Sequence, residues 1–291
     1  MPELPEVETI RLGLERHFVG RILSDITLWG HRIIRTYEGN ADDFRRSIRG
    51  RHIDATGRRG KFLWAILDSD TALLFHLGMS GQLHSWSPRS CPRQRVAHEY
   101  ARMECDDQSV LSFIDQRTFG RLEATGLTDE GIPDTIEHIA RDPLDKAIDL
   151  DEVNRKIRRS ASPIKTLLLN QGLISGIGNI YADEALFAAG VHGARRGRSL
   201  RRWEVTNVLE AATQVMRAAI AVGGTSFDAL YVDVEGNPGY FERSLRVYGR
   251  DNQACTECGS QITRLMLQGR SHYFCATCQP RSGPSPVRNI E

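Results

Sequence analysis

The sequence predicts an α+β protein of several domains, with an N-terminal β-sandwich or barrel carrying one helix and a helical region after it. Three observations lead to this fold class. Strand-like patterns fill residues 21–125, the apolar period becomes helical after residue 130, and two Cys-x-x-Cys pairs lie near the C-terminus. No internal repeat is visible.

The bulk composition is that of an ordinary globular chain. It has 291 residues, of which 40% are hydrophobic and 26% charged. The start lacks a basic segment followed by an apolar one, so we expect no signal peptide. No run is apolar for long enough to span a bilayer, and we expect a cytoplasmic protein with no membrane partner.

The opening stretch MPELPEVETI predicts a helix near the N-terminus. Pro5 suits a first helical turn, and Gly20 provides a terminator. Apolar residues follow at near-helical spacing: Val7, Ile10, Leu14 and Phe18. Two hairpins are then predicted, KFLWAILDSDTALLFHLGMSG turning at residues 68–70 and ARMECDDQSVLSFIDQRTFG turning at residues 106–107.

Three helices are predicted in the second half. SPIKTLLLNQG offers Ser162 as a cap and Pro163 at the first helical position, and GLISGIGNIYADEALFAAG reads as a glycine-broken turn before a helix capped by Asn179. Residues 199–224 predict a longer helix with an apolar stripe for core packing. The segment after Cys278 is rich in Pro, Ser and Gly, and we expect it to be disordered.

The net charge of +1 conceals three basic clusters separated by an acidic stretch. This segregation favours a positive face for a polyanion over three ordinary solvated faces. The clusters are Arg45, Arg46, Arg49, Arg51, Arg58, Arg59 and Lys61, then Arg155, Lys156, Arg158, Arg159 and Lys165, and finally Arg195, Arg196, Arg198, Arg201 and Arg202.

Four of the six cysteines predict a metal site. Cys255 and Cys258 form one Cys-x-x-Cys pair, and Cys275 and Cys278 form a second after 16 intervening residues. Four thiolates at this spacing suit one tetrahedral zinc ion with a structural role, whereas two disulfides would be unusual in a cytoplasmic protein. The residues between the pairs predict a hairpin whose tip carries Arg270, either as an exposed turn residue or as a phosphate ligand.

Eight motifs, in order, resemble the bacterial formamidopyrimidine-DNA glycosylase family, which removes oxidised purines from DNA. They run from residue 2 to the finger at residue 278: MPELPEVET, GKFL, HLGMSG, DQRTFG, GIGNIYADEALF, NPGYF, VYGR and the four cysteines. The resemblance implies a helix–two-turns–helix element and a zinc finger hairpin. It divides the chain into a catalytic domain at 2–128, a helical domain at 129–225, a lesion-closing loop and linker at 226–250, a finger at 251–280 and a disordered tail at 281–291.

The resemblance implies a bifunctional glycosylase and AP lyase. Pro2, freed by removal of Met1, would attack the sugar C1′, expel the damaged base and leave a cationic iminium that promotes β,δ-elimination. Glu3 would protonate the opening sugar ring, whereas Glu6 would orient the terminus. Lys61 and Arg270 match the family's catalytic lysine and its finger arginine, which bind phosphates and assist the eliminations.

The same resemblance implies a set of DNA contacts. Met79, Arg117 and Phe119 would fill the gap left by a flipped base. The other positions matching DNA ligands are His98, Arg159, Ser160, Lys165 and Asn179. The chain departs from the family pattern at Thr118, where a second arginine is common, and at Ser160, where lysine is common.

The expected partner is double-stranded DNA containing oxidised bases, bound by a monomer. Two other interpretations remain. One is an oxidised-pyrimidine preference like that of the endonuclease VIII branch, which typically has Gly in place of Leu4. The other is a lesion-binding protein without catalysis, which would not need Pro2, Glu3 and Lys61 together.

Overall fold

The computed structural model describes residues 2–225 and 232–282. Two compact units divide the chain: residues 1–138 with 222–242, and residues 139–221 with 243–291. Within the described residues, no helix is long and apolar enough to cross a membrane.

The first unit contains the predicted β-sandwich, built from two four-stranded antiparallel sheets with the orders β1-β6-β7-β5 and β2-β3-β4-β8. Its strands are β1 (Leu23–Leu28), β2 (Ile53–Arg59), β3 (Phe62–Leu67), β4 (Thr71–His76), β5 (Gly81–Trp86), β6 (Glu99–Cys105), β7 (Val110–Asp115) and β8 (Arg121–Gly126). Helix α1 (Leu4–Phe18) precedes β1, and α2 (Ala41–Ile48) precedes β2. Both predicted hairpins are confirmed, as β3–β4 and β6–β7.

One apolar core joins the sheets of this unit to α1. Side chains from both sheets, such as Leu63 and Phe113, and the helix residues Leu14 and Phe18 belong to it. The predicted spacing of apolar residues along α1 therefore marks its buried face. Val234 lies in the same core, so the chain returns to the first unit after helix α6 (Arg202–Ala221).

The second unit is helical and ends in a two-stranded hairpin. Its helices are α3 (Leu150–Arg159), α4 (Ile164–Leu168), α5 (Asn179–Ala188) and α6 (Arg202–Ala221), and its strands are β9 (Ile262–Leu267) and β10 (Arg270–Cys275). Gln268 and Gly269 form the hairpin turn, and both have positive φ, which glycine adopts without strain.

Two details of the predicted helices are corrected. Asn179 is the first residue of α5, and Gly178 occupies its N-cap position. Helix α4 begins after Pro163, so Ser162 does not cap it. Gln171 then organises the connection from α4 to α5, because its side-chain amide donates to the carbonyls of Leu169 and Ile177 and its oxygen accepts from the N–H of Gly176.

The predicted domain boundaries remain predictions. In the structure the chain divides after residue 138, and residues 222–242 belong with the N-terminal sandwich. Part of the predicted lesion-closing loop, residues 226–231, lies outside the described residues, as do residues 283–291 of the predicted tail.

Candidate functional site

The N-terminal residues are enclosed by the first unit. Pro2 is buried and lines a cavity of about 10 Å³ together with Glu6, Thr9 and Gln82. A cavity of this size has room for about one water molecule. Glu3 is also buried, with 3% of its surface exposed, and serves as the N-cap of α1.

Glu6 holds this terminus in place. Its carboxylate accepts the backbone N–H of Glu3 at 2.9 Å and the backbone N–H of Thr225 at 2.9 Å. The first contact satisfies an amide at the start of α1 that has no partner within the helix. The second joins α1 to the chain segment that returns after α6, which supports the predicted orienting role of Glu6.

A second carboxylate, Glu8, joins α1 to the strand that leads to Lys61. Arg58 donates to Glu8 at 2.7 Å, and Arg11 donates to both Glu8 and Thr56. Burial alone would raise the pKa of Glu8, but the hydrogen bonds and charges of the two arginines outweigh it and lower the pKa. Glu8 is therefore a structural ion-pair partner.

Lys61 lies in the two-residue turn between β2 and β3, not within a strand. Arg59 pairs with Phe62 across the turn, and Gly60 supplies the positive φ of 57° that the turn requires. The side chain of Lys61 is largely buried, with 8% exposed. Its position is thus fixed by the hairpin and by burial.

Lys61 belongs to a cationic group that the sequence analysis did not identify. The pKa of His76 is lowered to about 4 by burial and by the positive charges of Arg121, Lys61 and Arg35, so His76 is neutral near pH 7. In the sheets Phe62 pairs with His76, and His76 pairs with Arg121. His76 opens the motif HLGMSG, but its neighbours come from distant segments, so no local signal reveals the group.

Arg32 and Arg35 also hold the loop that carries Phe119. Arg32 donates to the carbonyl of Thr118 at 3.1 Å, and Arg35 donates to those of Phe119 and Gly120. The pKa of Arg35 is lowered by burial and by the charges of Arg121 and Arg32. This corner of the first unit therefore brings several cations together and suits an anionic ligand.

The three predicted gap-filling residues lie on two loops joined by Asp115. The Asp115 carboxylate accepts from the hydroxyl of Ser80, from the N–H of Arg117 at 3.1 Å and from the N–H of Gly120 at 2.7 Å. Asp115 itself is fully buried. One carboxylate thus fixes both the loop after β4, which carries Met79, and the loop after β7, which carries Arg117 and Phe119.

Met79 and Phe119 are exposed although they are large and apolar, with 37% and 43% of their surfaces accessible. The Arg117 guanidinium lies 5.5 Å from the centre of the Phe119 ring. The loops are tightly packed, because a Cβ on Gly78 would lie 2.5 Å from the backbone of Phe119. Exposed apolar side chains on fixed loops are suited to insertion into a stack of bases.

His98 is exposed on the loop before β6 and has a φ of 60°. Its carbonyl accepts the backbone N–H of Asp115 at 2.9 Å. Glu99, which is fully buried, accepts the N–H of Val96 and is paired with Arg102. The conformation of the His98 loop is therefore set by buried contacts on either side of it.

In the second unit, three predicted DNA ligands lie at the surface or close to it. Arg270 is exposed at the start of β10, Arg159 is exposed at the end of α3, and Asn179 is half-buried in the first turn of α5. The buried Oδ1 of Asn179 accepts no hydrogen bond from the described residues. Ser160 caps α3, and its hydroxyl oxygen accepts the N–H of Ser162 at 3.1 Å.

Lys165 requires a correction. Its side chain is only 1% exposed, and its ammonium lies 2.7 Å from the Asp183 carboxylate while donating to the carbonyl of Ser271. A buried ammonium with these partners does not present its charge at the surface. The structure therefore gives no support to a phosphate contact by Lys165.

The four predicted metal ligands come together at the base of the β9–β10 hairpin. The sulfur atoms of Cys255, Cys258, Cys275 and Cys278 lie within 4.8 Å of one another. In tetrahedral zinc sites the sulfurs are about 3.8 Å apart, given zinc–sulfur bonds of about 2.3 Å. Hydrogen bonds from Ser260 lower the pKa of Cys258 to about 6, which favours the thiolate that a metal requires. The four cysteines thus form a cluster that can hold one metal ion.

Many arginines of the predicted basic clusters have acidic neighbours. Arg45 pairs with Asp42 at 2.9 Å, Arg51 pairs with Asp70 at 2.6 Å, and the buried Arg195 pairs with Glu204 at 2.7 Å. Arg158 and Arg159, by contrast, are exposed and form no ion pair with any residue in the described part of the chain. Fewer arginines of these clusters therefore carry an uncompensated positive charge than the sequence suggests.

Two family models match the chain. The formamidopyrimidine-DNA glycosylase N-terminal domain matches residues 1–122, and the formamidopyrimidine-DNA glycosylase H2TH domain matches residues 139–230. A formamidopyrimidine-DNA glycosylase from Mycobacterium avium is 48% identical over 288 residues, covering 97% of this chain and 99% of the relative. One from a Nocardioides species is 48% identical over 294 residues, covering 99% of both chains.

Solved structures agree with these matches. A Lactococcus lactis Fpg variant in complex with DNA containing Fapy-dG has a TM-score of 0.86 and 30% identity, covering 96% of this chain and all of that one. The MutM (Fpg) protein from Thermus thermophilus has a TM-score of 0.83 and 33% identity, covering 97% of this chain and all of that one. The similarity thus spans both units.

Proposed function

The chain belongs to the formamidopyrimidine-DNA glycosylase family, and we infer from this that it excises oxidised purines from duplex DNA and cleaves the resulting abasic site. The observation that carries this inference is the full-length match to these enzymes. It includes a structural neighbour bound to DNA containing Fapy-dG. The chain is accordingly a DNA repair glycosylase with AP lyase activity.

We propose that Pro2 is the nucleophile once Met1 has been removed. Its secondary amine attacks C1′ of the damaged nucleotide and loses its N–H proton, while the bond to the base breaks and the base leaves with the bonding electrons. The C1′–O4′ bond of the resulting aminal then breaks, O4′ takes up a proton, and a C1′=N⁺ iminium forms. The resulting iminium has no N–H proton to lose, so it stays cationic and acidifies the C2′ proton. Loss of that proton expels the 3′ phosphate, and a second elimination releases the 5′ phosphate.

The buried surroundings of the N-terminus support roles for Glu3 and Glu6. Glu3 directly follows the proposed nucleophile and is buried with it, so its carboxyl group can exchange protons with the opening sugar. Glu6 keeps the first turn of α1 in place through the N–H groups of Glu3 and Thr225. We therefore propose Glu3 as an acid–base group and Glu6 as a structural support.

We propose that phosphates flanking the lesion are bound by the cationic corner of the first unit. Lys61, Arg35 and Arg121 supply positive charge there, and His76 supplies a neutral ring. Arg270, Arg159, Ser160 and Asn179 would contribute contacts from the second unit. His98 lies on a fixed loop of the first unit and completes the proposed set.

The exposed loop residues support gap filling after base flipping. Met79 and Phe119 provide apolar surface to occupy the emptied stack, and Arg117 provides donors for the unpaired base. Asp115 holds the two loops in a fixed arrangement through its hydrogen bonds to both. The excised base must leave the stack before C1′ can be reached, so these residues act before the chemistry does.

We propose one zinc ion as the metal, held by Cys255, Cys258, Cys275 and Cys278. Four thiolate ligands leave no position for water, so the ion would fix the hairpin and take no part in catalysis. We also propose that the protein acts as a monomer in the cytoplasm, on chromosomal DNA.

Borohydride trapping tests the proposed function. The protein is incubated with a duplex carrying 8-oxoguanine opposite cytosine and, separately, with a thymine-glycol duplex. We expect a covalent adduct on the first, with the modified peptide mapping to Pro2. Pro2→Gly should reduce the rate of strand cleavage at least tenfold, because the imine from a primary amine can lose its proton. Pro5→Ala, at the other proline of the motif, is the matched control and should retain trapping.

Each other outcome identifies an alternative. An adduct on the thymine-glycol duplex alone would favour an oxidised-pyrimidine enzyme. With Met1 shown to be absent and the metal bound, a lack of adducts on both duplexes would leave a lesion-binding protein without catalysis.

A further inference from the structure

The second unit contains a buried polar cluster formed by Lys165, Asp183 and His272. Their side chains are 1%, 0% and 0% exposed. Oδ1 of Asp183 lies 2.7 Å from Nζ of Lys165 and 2.6 Å from Nδ1 of His272. Such a cluster requires complete pairing, because each of its polar groups would otherwise be costly to bury.

The remaining polar atoms of the cluster bind the backbone. Oδ2 of Asp183 accepts the N–H of Tyr273 at 3.0 Å, and Nε2 of His272 accepts the N–H of Gly193 at 3.1 Å. Since Nε2 is an acceptor, His272 carries its proton on Nδ1 and donates it to Asp183. The ammonium of Lys165 donates to the carbonyl of Ser271.

These contacts converge on the three residues that follow Arg270. Ser271 is bound by Lys165 from α4, and His272 and Tyr273 are bound by Asp183 from α5. β10 is therefore attached to two helices immediately beside Arg270. The side chain of Arg270 itself is exposed and makes no hydrogen bond with the described residues.

The hairpin needs such an attachment. Cys275 lies five residues beyond Arg270 along β10, a distance of about 17 Å in an extended strand. An isolated two-stranded hairpin is at best marginally stable, so anchoring by the cysteines at its base alone leaves the tip free to move. Strand β9 adds little, since Thr263, Arg264 and Met266 are exposed.

We propose that Asp183 and His272 are positioning residues for Arg270, with Lys165 neutralising the Asp183 carboxylate. The cluster fixes the direction in which the Arg270 side chain leaves the hairpin, and hence its reach to a phosphate. The inference rests on the role proposed above for Arg270 in the second elimination.

The test uses the full-length, metal-loaded protein on a duplex with one abasic site. The readout is the ratio of β,δ-elimination product to β-elimination product, measured beside borohydride trapping at Pro2. Arg270→Ala provides the reference, and we expect it to lower the ratio. Asp183→Asn should lower the ratio about tenfold, since a misplaced catalytic group costs up to about 100-fold in rate. Trapping should change less than about twofold, because Pro2 belongs to the other unit.

Glu204→Gln is the matched control. Glu204 is also fully buried in the second unit, where it pairs with Arg195 at 2.7 Å and accepts the N–H of Arg201, both of which lie outside the hairpin. It should lower the melting temperature and leave the product ratio unchanged. Two variants at His272 keep the Asp183 carboxylate, so Lys165 retains its counter-charge. His272→Ala should lower the ratio. His272→Gln should restore it, because an amide can donate to Asp183 and accept from the N–H of Gly193.

The outcomes distinguish the positioning role of the buried cluster from the elimination role of Arg270. If Arg270→Ala lowers the ratio but Asp183→Asn and His272→Ala change it no more than Glu204→Gln does, the positioning role is wrong and the cluster serves stability alone. If Arg270→Ala leaves the ratio unchanged, the elimination role of Arg270 is wrong, and the positioning role falls with it. Trapping at Pro2 reports independently on iminium formation at the abasic site in both cases.

Discussion

The surroundings of single residues determine which of the many charged side chains are chemically available. Lys165 and Lys61 were both predicted to bind phosphate, yet their environments differ. Lys165 is enclosed with Asp183, whereas Lys61 lies in a turn among other cations that depress the pKa of His76. Positive charge concentrated in this way suits a site for DNA phosphates. Sequence alone assigns both lysines the same charge and cannot distinguish these environments.

The lowered pKa of His76 predicts a specific dependence of stability on pH. Its pKa is about 4 in the folded state and 6.5 in a model peptide, so the unfolded chain binds more protons between these values. Stability from this group is therefore present above about pH 6.5 and is lost as the pH falls toward 4. We expect the contribution of His76 to the free energy of unfolding to fall by roughly 2 kcal/mol when the pH is lowered from 7 to 5.

Urea unfolding of the wild type and of His76→Gln at both pH values measures this contribution. The variant should lose less stability on acidification than the wild type. His52→Gln provides a control of opposite sign, because a hydrogen bond with Asp54 raises the pKa of that exposed histidine. Parallel losses in the wild type and in His76→Gln would contradict the prediction.

At the scale of elements, rigid loops between strands hold the residues that act on DNA. Asp115 at the end of β7 fixes the loops of Met79 and Phe119, and Glu6 fixes the start of α1. Each of these carboxylates bonds backbone N–H groups that lack partners in a helix or strand. At both places in the first unit, a carboxylate that accepts backbone N–H groups therefore fixes the backbone of the candidate site.

Replacing Asp115 should uncouple the two loops. In Asp115→Asn one carboxylate oxygen becomes an amino group that faces an existing donor, so we expect a loss of roughly 2–3 kcal/mol of stability. Excision from a duplex should slow at least tenfold, because gap filling requires both loops. Cleavage of a single-stranded abasic oligonucleotide, which has no stack to fill, should change little.

Glu123→Gln is the control for this prediction. Glu123 is also buried in the sandwich, where it accepts a hydrogen bond from Thr36, but it does not join the two loops. Kinetics on both substrates and urea unfolding should be compared for the two variants. Equal effects on duplex and single-stranded substrates would show that Asp115 affects stability only.

Metal removal tests the finger hairpin as an element. Cys255 and Cys275 belong to a small apolar cluster with Phe187 and Ile262, which is too small to hold the hairpin alone. Cys258→Ser should lose the metal and weaken DNA binding at least tenfold, since structural zinc contributes its binding energy to folding. Metal analysis and a DNA-binding titration measure this, with Cys91→Ser as the control outside the cluster.

The elements were predictable to the extent that their signals are local. The periodicity of α1, the strand-like apolar runs of β3–β4 and β6–β7, and the spacing of the cysteines all depend on neighbouring residues. The pairing of Lys165 with Asp183 and the grouping of Lys61 with His76 and Arg121 depend on long-range contacts, which the sequence pattern does not contain. The sequence motifs therefore indicated the candidate residues but not their partners.

For the whole molecule, the distribution of charge matters more than its sum. The net charge is +1, and many arginines of the basic clusters are neutralised by local carboxylates. Affinity for DNA must then come from the cations that are left without acidic partners. Each phosphate contact made by such a cation releases counterions, so affinity should depend strongly on salt despite the small net charge.

The salt dependence of binding distinguishes the two kinds of arginine. Arg158 and Arg159 are exposed at the end of α3 without ion pairs among the described residues, whereas Arg45 and Arg46 pair with Asp42 and Asp43 in α2. Replacing Arg158 and Arg159 by Ala should reduce the slope of log Kd against log salt by about 1 to 2, at about 0.9 per lost phosphate contact on duplex DNA.

Replacing Arg45 and Arg46 by Ala removes the same formal charge and should leave the slope unchanged, because those guanidinium groups are already compensated. Both double variants are titrated with an 8-oxoguanine duplex across a series of salt concentrations. Equal reductions in slope would mean that binding follows net charge. If neither slope changes, the end of α3 does not face the phosphates, and the DNA-binding surface must be assigned to other cations such as Lys61 and Arg270.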